Sequence, residues 1–155
     1  MPSTLQREIK QTKPFKSLEQ EALLSLERTA AVVLHRFAET FKDVDITPTQ
    51  YNVLRILRGA GTNGLCRSEV RERLVAQVPD VTRLLDRMEE AGLVARERDA
   101  ADRRHVTTRI TRQGLAVLAR LDAPVTEAHH KTLGHMSATQ LQQLIDLLVL
   151  ARTPV

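Results

Sequence analysis

Thr82, Arg83 and Arg87 lie within one short amphipathic stretch, and the pair Arg103-Arg104 follows in a charged segment downstream. Two arginines four residues apart on a helix share a face and can reach base edges or phosphates. A threonine beside them can donate to a phosphate or touch a thymine methyl. Arg103 and Arg104 together at a hairpin tip would have little structural use. Arg67 and Arg71, with Arg73, add weaker candidates for backbone contacts. The chemistry these types and spacings point to is non-covalent recognition of duplex DNA.

Such side chains need rigid elements behind them. Val81, Leu84, Leu85 and Met88 recur at helical spacing and predict a short helix with one apolar side, which leaves Thr82, Arg83, Asp86 and Arg87 outward. Pro79 suits its first turn and Gly92 its end. The charged run 96–104 lies between β-prone residues, Leu93-Val94 before and 106–111 after, which predicts an arginine-tipped hairpin. Upstream, Thr47 and Pro48 open a helix carrying Tyr51, Leu54 and Leu57, with Gly59, Gly61 and Gly64 ending it. Ser68 is the expected cap of a further helix over 69–74, and a turn at Ala76-Gln77-Val78 leads on. Two short helices joined this way, followed by a hairpin, form a winged helix-turn-helix.

Longer helices flank this unit. Ser17 caps a pattern of Leu23, Leu26, Ala30, Val33, Phe37 and Phe41, about 36 Å from Leu18 to Phe41 at 1.5 Å per residue. Thr111 caps another through Leu115, Leu118, Leu121 and Val125, which Pro124 is expected to bend or restart. Ser137 and Gln140 make a capping box for a last helix bearing Leu141, Leu144, Ile145, Leu148 and Leu150. The first sixteen residues read as an arm or short helix that needs a partner surface. Apolar helices at both ends of a compact unit argue for a homodimer made by the termini.

Composition narrows the classes. The 155 residues, 42% apolar, suffice for one domain with a real core, and the net charge of +4 comes from 18 Arg and 5 Lys against 19 acids. Arginine's planar fork suits phosphate and guanine edges. Aromatics are only 3%, which disfavours stacking platforms for single strands or RNA loops. No apolar run is long enough to span a bilayer and the N-terminus lacks a signal-like stretch, so a soluble, cytoplasmic protein without membrane or cofactor is expected. The single cysteine, Cys66, excludes an internal disulfide framework.

Three other readings compete. Glu127, His129, His130 and His135 could suggest a metal site or base, but His130 and His135 share no i, i+4 face and no nucleophile-base pairing is present; neither an enzyme nor a metal protein is expected. A winged helix serving as a protein-interaction module would predict a neutral recognition face, the opposite of this one. A redox-responsive regulator would use Cys66.

The runs Ile46-Thr47-Pro48-Thr49-Gln50-Tyr51-Asn52-Val53-Leu54, Val81-Thr82-Arg83-Leu84-Leu85-Asp86-Arg87-Met88-Glu89-Glu90-Ala91-Gly92-Leu93-Val94, Asp99-Ala100-Ala101-Asp102-Arg103-Arg104 and Ile110-Thr111-Arg112-Gln113-Gly114 resemble the MarR family of bacterial transcriptional regulators, in order and over about residues 17 to 152. The resemblance implies a mainly α fold: one domain over 1–155, with dimerisation helices at 17–44 and 112–152 around a winged helix-turn-helix at 46–111. It also implies a homodimeric repressor on a pseudo-palindromic operator, released by a small lipophilic or phenolic effector or by oxidation. By the same resemblance the recognition helix falls on 78–91 and the wing on 96–109. Arg104 matches the arginine that enters the minor groove and Asp102 the acid that brace it. The effector site would draw on His35, Arg36 and Tyr51. Peroxide-sensing relatives keep their cysteine near the N-terminus, unlike Cys66. Two departures stand out: Val70-Arg71 replaces a Leu-Ala pair, and Val78-Pro79-Asp80 replaces a serine-rich lead-in, placing an acid where a phosphate would be repelled.

Overall fold

The computed structural model describes residues 2–98 and 106–153. In chain order the elements are α1 (Thr4–Glu8), α2 (Leu18–Ala38) with a 3-10 turn at Glu39–Phe41, α3 (Pro48–Ala60), β1 (Leu65–Cys66), α4 (Arg67–Arg73), α5 (Val81–Glu90), β2 (Val94–Arg98), β3 (Val106–Ile110), α6 (Arg112–Leu133) and α7 (Ala138–Arg152). The fold is mainly helical with a small antiparallel sheet, a winged helix.

Side-chain caps start most of the helices. Ser3, Ser17, Thr47, Thr111 and Ser137 each accept a backbone N–H from the first turn of the helix that follows, supplying an acceptor for a donor with no intrahelical partner. At Thr47 and Ser137 a glutamine three residues on returns a bond to the cap's own N–H.

Other boundaries depart from the sequence expectation. Helix α4 starts at Arg67, not after Ser68, because the Glu69 carboxylate accepts the Cys66 N–H at 2.8 Å and makes Cys66 the capping position. Cys66 is also the end of β1, so strand runs directly into helix. Pro79 lies outside α5: Asp80 is the cap, its Oδ1 accepting the Arg83 N–H at 2.9 Å. Helix α2 ends at Ala38, and Phe41 is reached through the 3-10 turn. Gly59 lies inside α3, which Gly61 ends with φ +63°. Helix α6 runs unbroken through Pro124, where the buried Leu121 and Val125 on either side hold it against the core.

The sheet order is β1-β3-β2, all antiparallel, with Leu65 opposite Thr108 and Arg96 opposite Thr108 from the other side. The two-residue β1 escapes sequence patterning, since a strand that short shows no alternation. The core gathers Val53, Leu54 and Leu57 of α3, Val70 of α4, Leu85 and Met88 of α5, Val94 of β2 and Leu118 and Leu121 of α6. It therefore lies beneath the helix-turn-helix and against the first part of α6.

Two glycines are required by this packing. Gly92, with φ +73°, ends α5 in a Schellman turn, in which Leu93 N–H bonds the Met88 carbonyl and Gly92 N–H that of Glu89, both at 2.9 Å. Gly114 lets the start of α6 press on the wing: a Cβ there would stand 2.4 Å from the Leu93 carbonyl oxygen and 2.8 Å from Ile110 Cγ1.

Helix α2 packs along α6. Neither α2 nor α7 contributes a buried residue, and Leu18, Leu23, Leu26 and Leu34 of α2 are exposed with Ile145, Leu147, Val149 and Leu150 of α7. Among the described residues no helix is long and apolar enough to cross a membrane.

Candidate nucleic-acid interface

Helix α5 buries Val81, Leu85 and Met88 and turns Thr82, Arg83 and Arg87 outward, as the 3.6-residue period requires. The outward face also carries Asp86 and Glu90, three residues from Arg83 and Arg87 respectively, a helical spacing at which each pair could meet on the sequence alone. Folding assigns Asp86 elsewhere. Arg96 on β2 gives Glu89 hydrogen bonds of 3.1 Å from its backbone N–H, 2.8 Å from Nε and 2.6 Å from Nη2. The same Nη2 lies 2.6 Å from Asp86 Oδ1. The hydrogen bond from Arg96 holds the Glu89 carboxyl below its ordinary range, and the bond to Glu89 holds the Arg96 guanidinium above its own. Among the described residues, the guanidinium groups of Arg83 and Arg87 have no ion-pair partner.

Arg67, the first residue of α4, donates from Nη1 to Thr82 Oγ1 at 3.0 Å. It thereby orients the threonine hydroxyl. Arg67, Ser68 and Arg71 on α4 face Asp80 and Thr82 across a cleft of about 340 Å³. Arg73 lies apart, beside a separate cleft lined by Arg55 and Asn63. The base of the wing is anchored by Arg109, whose Nε donates to the Thr62 carbonyl at 2.8 Å and whose Nη1 meets Glu97 Oε2 at 2.9 Å. Asp102, Arg103 and Arg104 lie outside the described residues.

Sequence reasoning missed Arg96, Arg109 and the capping role of Asp80. An aspartate directly ahead of Val81, the first residue of the apolar stripe, is a legible capping signal. The partners of Arg96 and Arg109, by contrast, are set only when strand and helix are brought together.

The residues expected to line an effector site differ in exposure. Tyr51 is buried in the core with its ring 5.1 Å from that of Phe41 and Arg55 above it at 5.9 Å; burial pushes its hydroxyl pKa up. His35 and Arg36 are exposed on α2, and Arg36 lines a cleft of about 530 Å³ with Asp43, Glu127 and Lys131. His129 stacks on Phe37 at 5.6 Å and Glu127 pairs with Lys131 at 3.4 Å. Cys66 is half-buried, with Sγ 3.0 Å from Ser68 Oγ.

A helix whose outward arginines have no ion-pair partner among the described residues, followed by a strand, β2, anchored to it, is equipped to lie in a major groove and touch the backbone beside it. Known proteins resemble this chain in sequence and fold. Residues 44–105 match the model of the MarR family. The homoprotocatechuate degradative operon repressor of Escherichia coli is 27% identical over 125 residues, covering 81% of this chain and 83% of that one. The transcriptional repressor CouR, solved bound to a 23-mer DNA duplex, is 28% identical with a TM-score of 0.74, covering 91% of this chain and 100% of that one. A MarR transcription factor of Planctomyces limnophilus is 40% identical, with a TM-score of 0.68 over 88% of this chain and 98% of that one. The chain belongs to the MarR family of DNA-binding transcription regulators.

Proposed function

We propose that this regulator is a homodimeric, ligand-responsive repressor that binds a pseudo-palindromic operator, with Thr82, Arg83 and Arg87 reading the major groove, Arg103 and Arg104 the minor groove, and Arg67 and Arg71 the backbone. The observation that carries the reading is the α5 surface. Its acid Asp86 is tied to Arg96 while Arg83 and Arg87 stay unpaired among the described residues, leaving both guanidinium groups exposed to solvent. Similarity to two named repressors, one bound to duplex DNA, supports the sign of regulation.

The exposed leucines of α2 and the apolar side of α7 support a homodimer. Leu18 is 81% exposed and Leu150 70%, far from what a lone protomer would leave in water. A dimer would set its two recognition helices about 34 Å apart, one turn of DNA. In this reading a small lipophilic or phenolic effector binds between the dimer helices and the winged unit, near His35, Arg36 and Tyr51.

The test is fluorescence-polarisation binding to the upstream region of its own gene and to a scrambled duplex across a salt series. Tight, selective binding with a steep salt slope is expected. Equal weak binding to both, persisting after selection from random duplexes, overturns the reading and favours a protein-interaction module.

A further inference from the structure

We propose that Asp80 is a specificity-determining residue: its carboxylate accepts a hydrogen bond from the N4 amine of a cytosine in each operator half-site. The inference rests on the DNA-binding reading above and assigns part of the sequence that the protein reads.

Asp80 stands at the start of α5, and the first residues of a recognition helix are those that reach base edges. Its Oδ1 accepts the Arg83 N–H at 2.9 Å, which holds the side chain in one orientation. An ionised carboxylate keeps further acceptor sites when one is filled. The residue is exposed and shares the 340 Å³ cleft with Arg67 and Arg71, yet it forms an ion pair with neither. The acid is therefore not there to neutralise those arginines.

Nor does capping alone call for a negative charge, because serine and asparagine cap equally well. On a surface that meets a polyanion, a carboxylate opposes binding unless a donor is set against it. The major groove offers two such donors, cytosine N4 and adenine N6. Adenine places its N7 acceptor beside N6, which repels a second carboxylate oxygen, whereas cytosine has no neighbouring acceptor of its own. A carboxylate thus selects cytosine and an amide selects adenine. Arg83, one turn further along the same side, carries a fork with no ion-pair partner among the described residues, which suits guanine.

The experiment is selection from random duplexes, followed by binding measurements, with the full-length chain, Asp80→Asn and Asp80→Ser. Both replacements keep the cap, so the helix is retained, as circular dichroism would verify. The wild type is expected to require C·G at one position of each half-site, with about tenfold or greater weakening when that pair is changed. Asp80→Asn is expected to move the preference there to A·T, and Asp80→Ser to accept all four pairs, with every other position unchanged.

The same base pair selected by all three proteins would overturn the assignment. So would a uniform gain in affinity by both variants for every duplex, which would reduce the acid to a cap that repels phosphate. If the wild type selects no sequence at all, the DNA-binding reading itself falls and this inference falls with it.

Discussion

Arg96 on β2 and Glu89 on α5 are joined by a charge-assisted bond of 2.6 Å and by two further hydrogen bonds, which tie strand β2 to helix α5. The same guanidinium holds Asp86. Arg96 therefore removes two negative charges from the vicinity of Arg83 and Arg87 without itself facing outward, its side chain being only 23% exposed.

Arg96→Ala should weaken operator binding by about 1 kcal/mol, since it releases two carboxylates beside Arg83 and Arg87, the arginines proposed to face DNA. Adding Asp86→Asn and Glu89→Gln to Arg96→Ala should recover most of the loss. Polarisation titrations of the single and triple variants check this; a triple variant as weak as the single one would mean that Arg96 acts by another route.

The bond between Arg96 and Glu89 has a defined pH window. Because it holds Glu89 below its ordinary value of 4.5, the contribution to stability is complete above that pH and disappears as pH falls through the lowered folded value. Glu89 is 38% exposed, so the effect is small, below about 1 kcal/mol. The gap in thermal midpoint between wild type and Glu89→Gln should be constant from about pH 6 to 8 and close at acid pH. A gap that widened on acidification would contradict the assignment.

Arg83→Ala and Arg87→Ala should each weaken specific binding by about 1 to 3 kcal/mol, as should Arg104→Ala in the wing. A residue on a base edge relaxes selectivity at one position, whereas a phosphate contact lowers the salt slope for every sequence. Binding to operator and scrambled duplex over a salt range separates the two, and unchanged affinity removes the residue from the interface.

Truncation after Ala138 should convert the proposed dimer to a monomer while leaving the core intact, because α7 supplies no buried residue to its own protomer. Sedimentation velocity reads the outcome directly. A truncated chain that still sediments as a dimer would assign the interface elsewhere.

Gly114→Ala should destabilise the fold by about 1 to 3 kcal/mol, through the clash of its Cβ with the Leu93 carbonyl and Ile110. Urea unfolding measures it. The glycine in the Ile110 to Gly114 run is thus required by close packing of α6 on the wing, not by an unusual backbone angle.

Much of this architecture is written in local sequence. The caps at Ser17, Thr47, Thr111 and Ser137, the apolar stripe of Val81, Leu85 and Met88, and the turn at Gly92 depend on residues within one or two helical turns of each other, so chain order alone specifies them. What only the tertiary structure decided is which charges remain free. Asp86 could have paired with Arg83 along α5, and the arrival of Arg96 on β2 settles the competition. Likewise Arg67 meets Thr82 across 15 residues and Arg109 meets Thr62 across 47, and Tyr51 turns into the core because Phe41 is brought against it. Charged and hydrogen-bonding side chains are promiscuous in sequence, since any donor suits any acceptor, and only packing selects the partner.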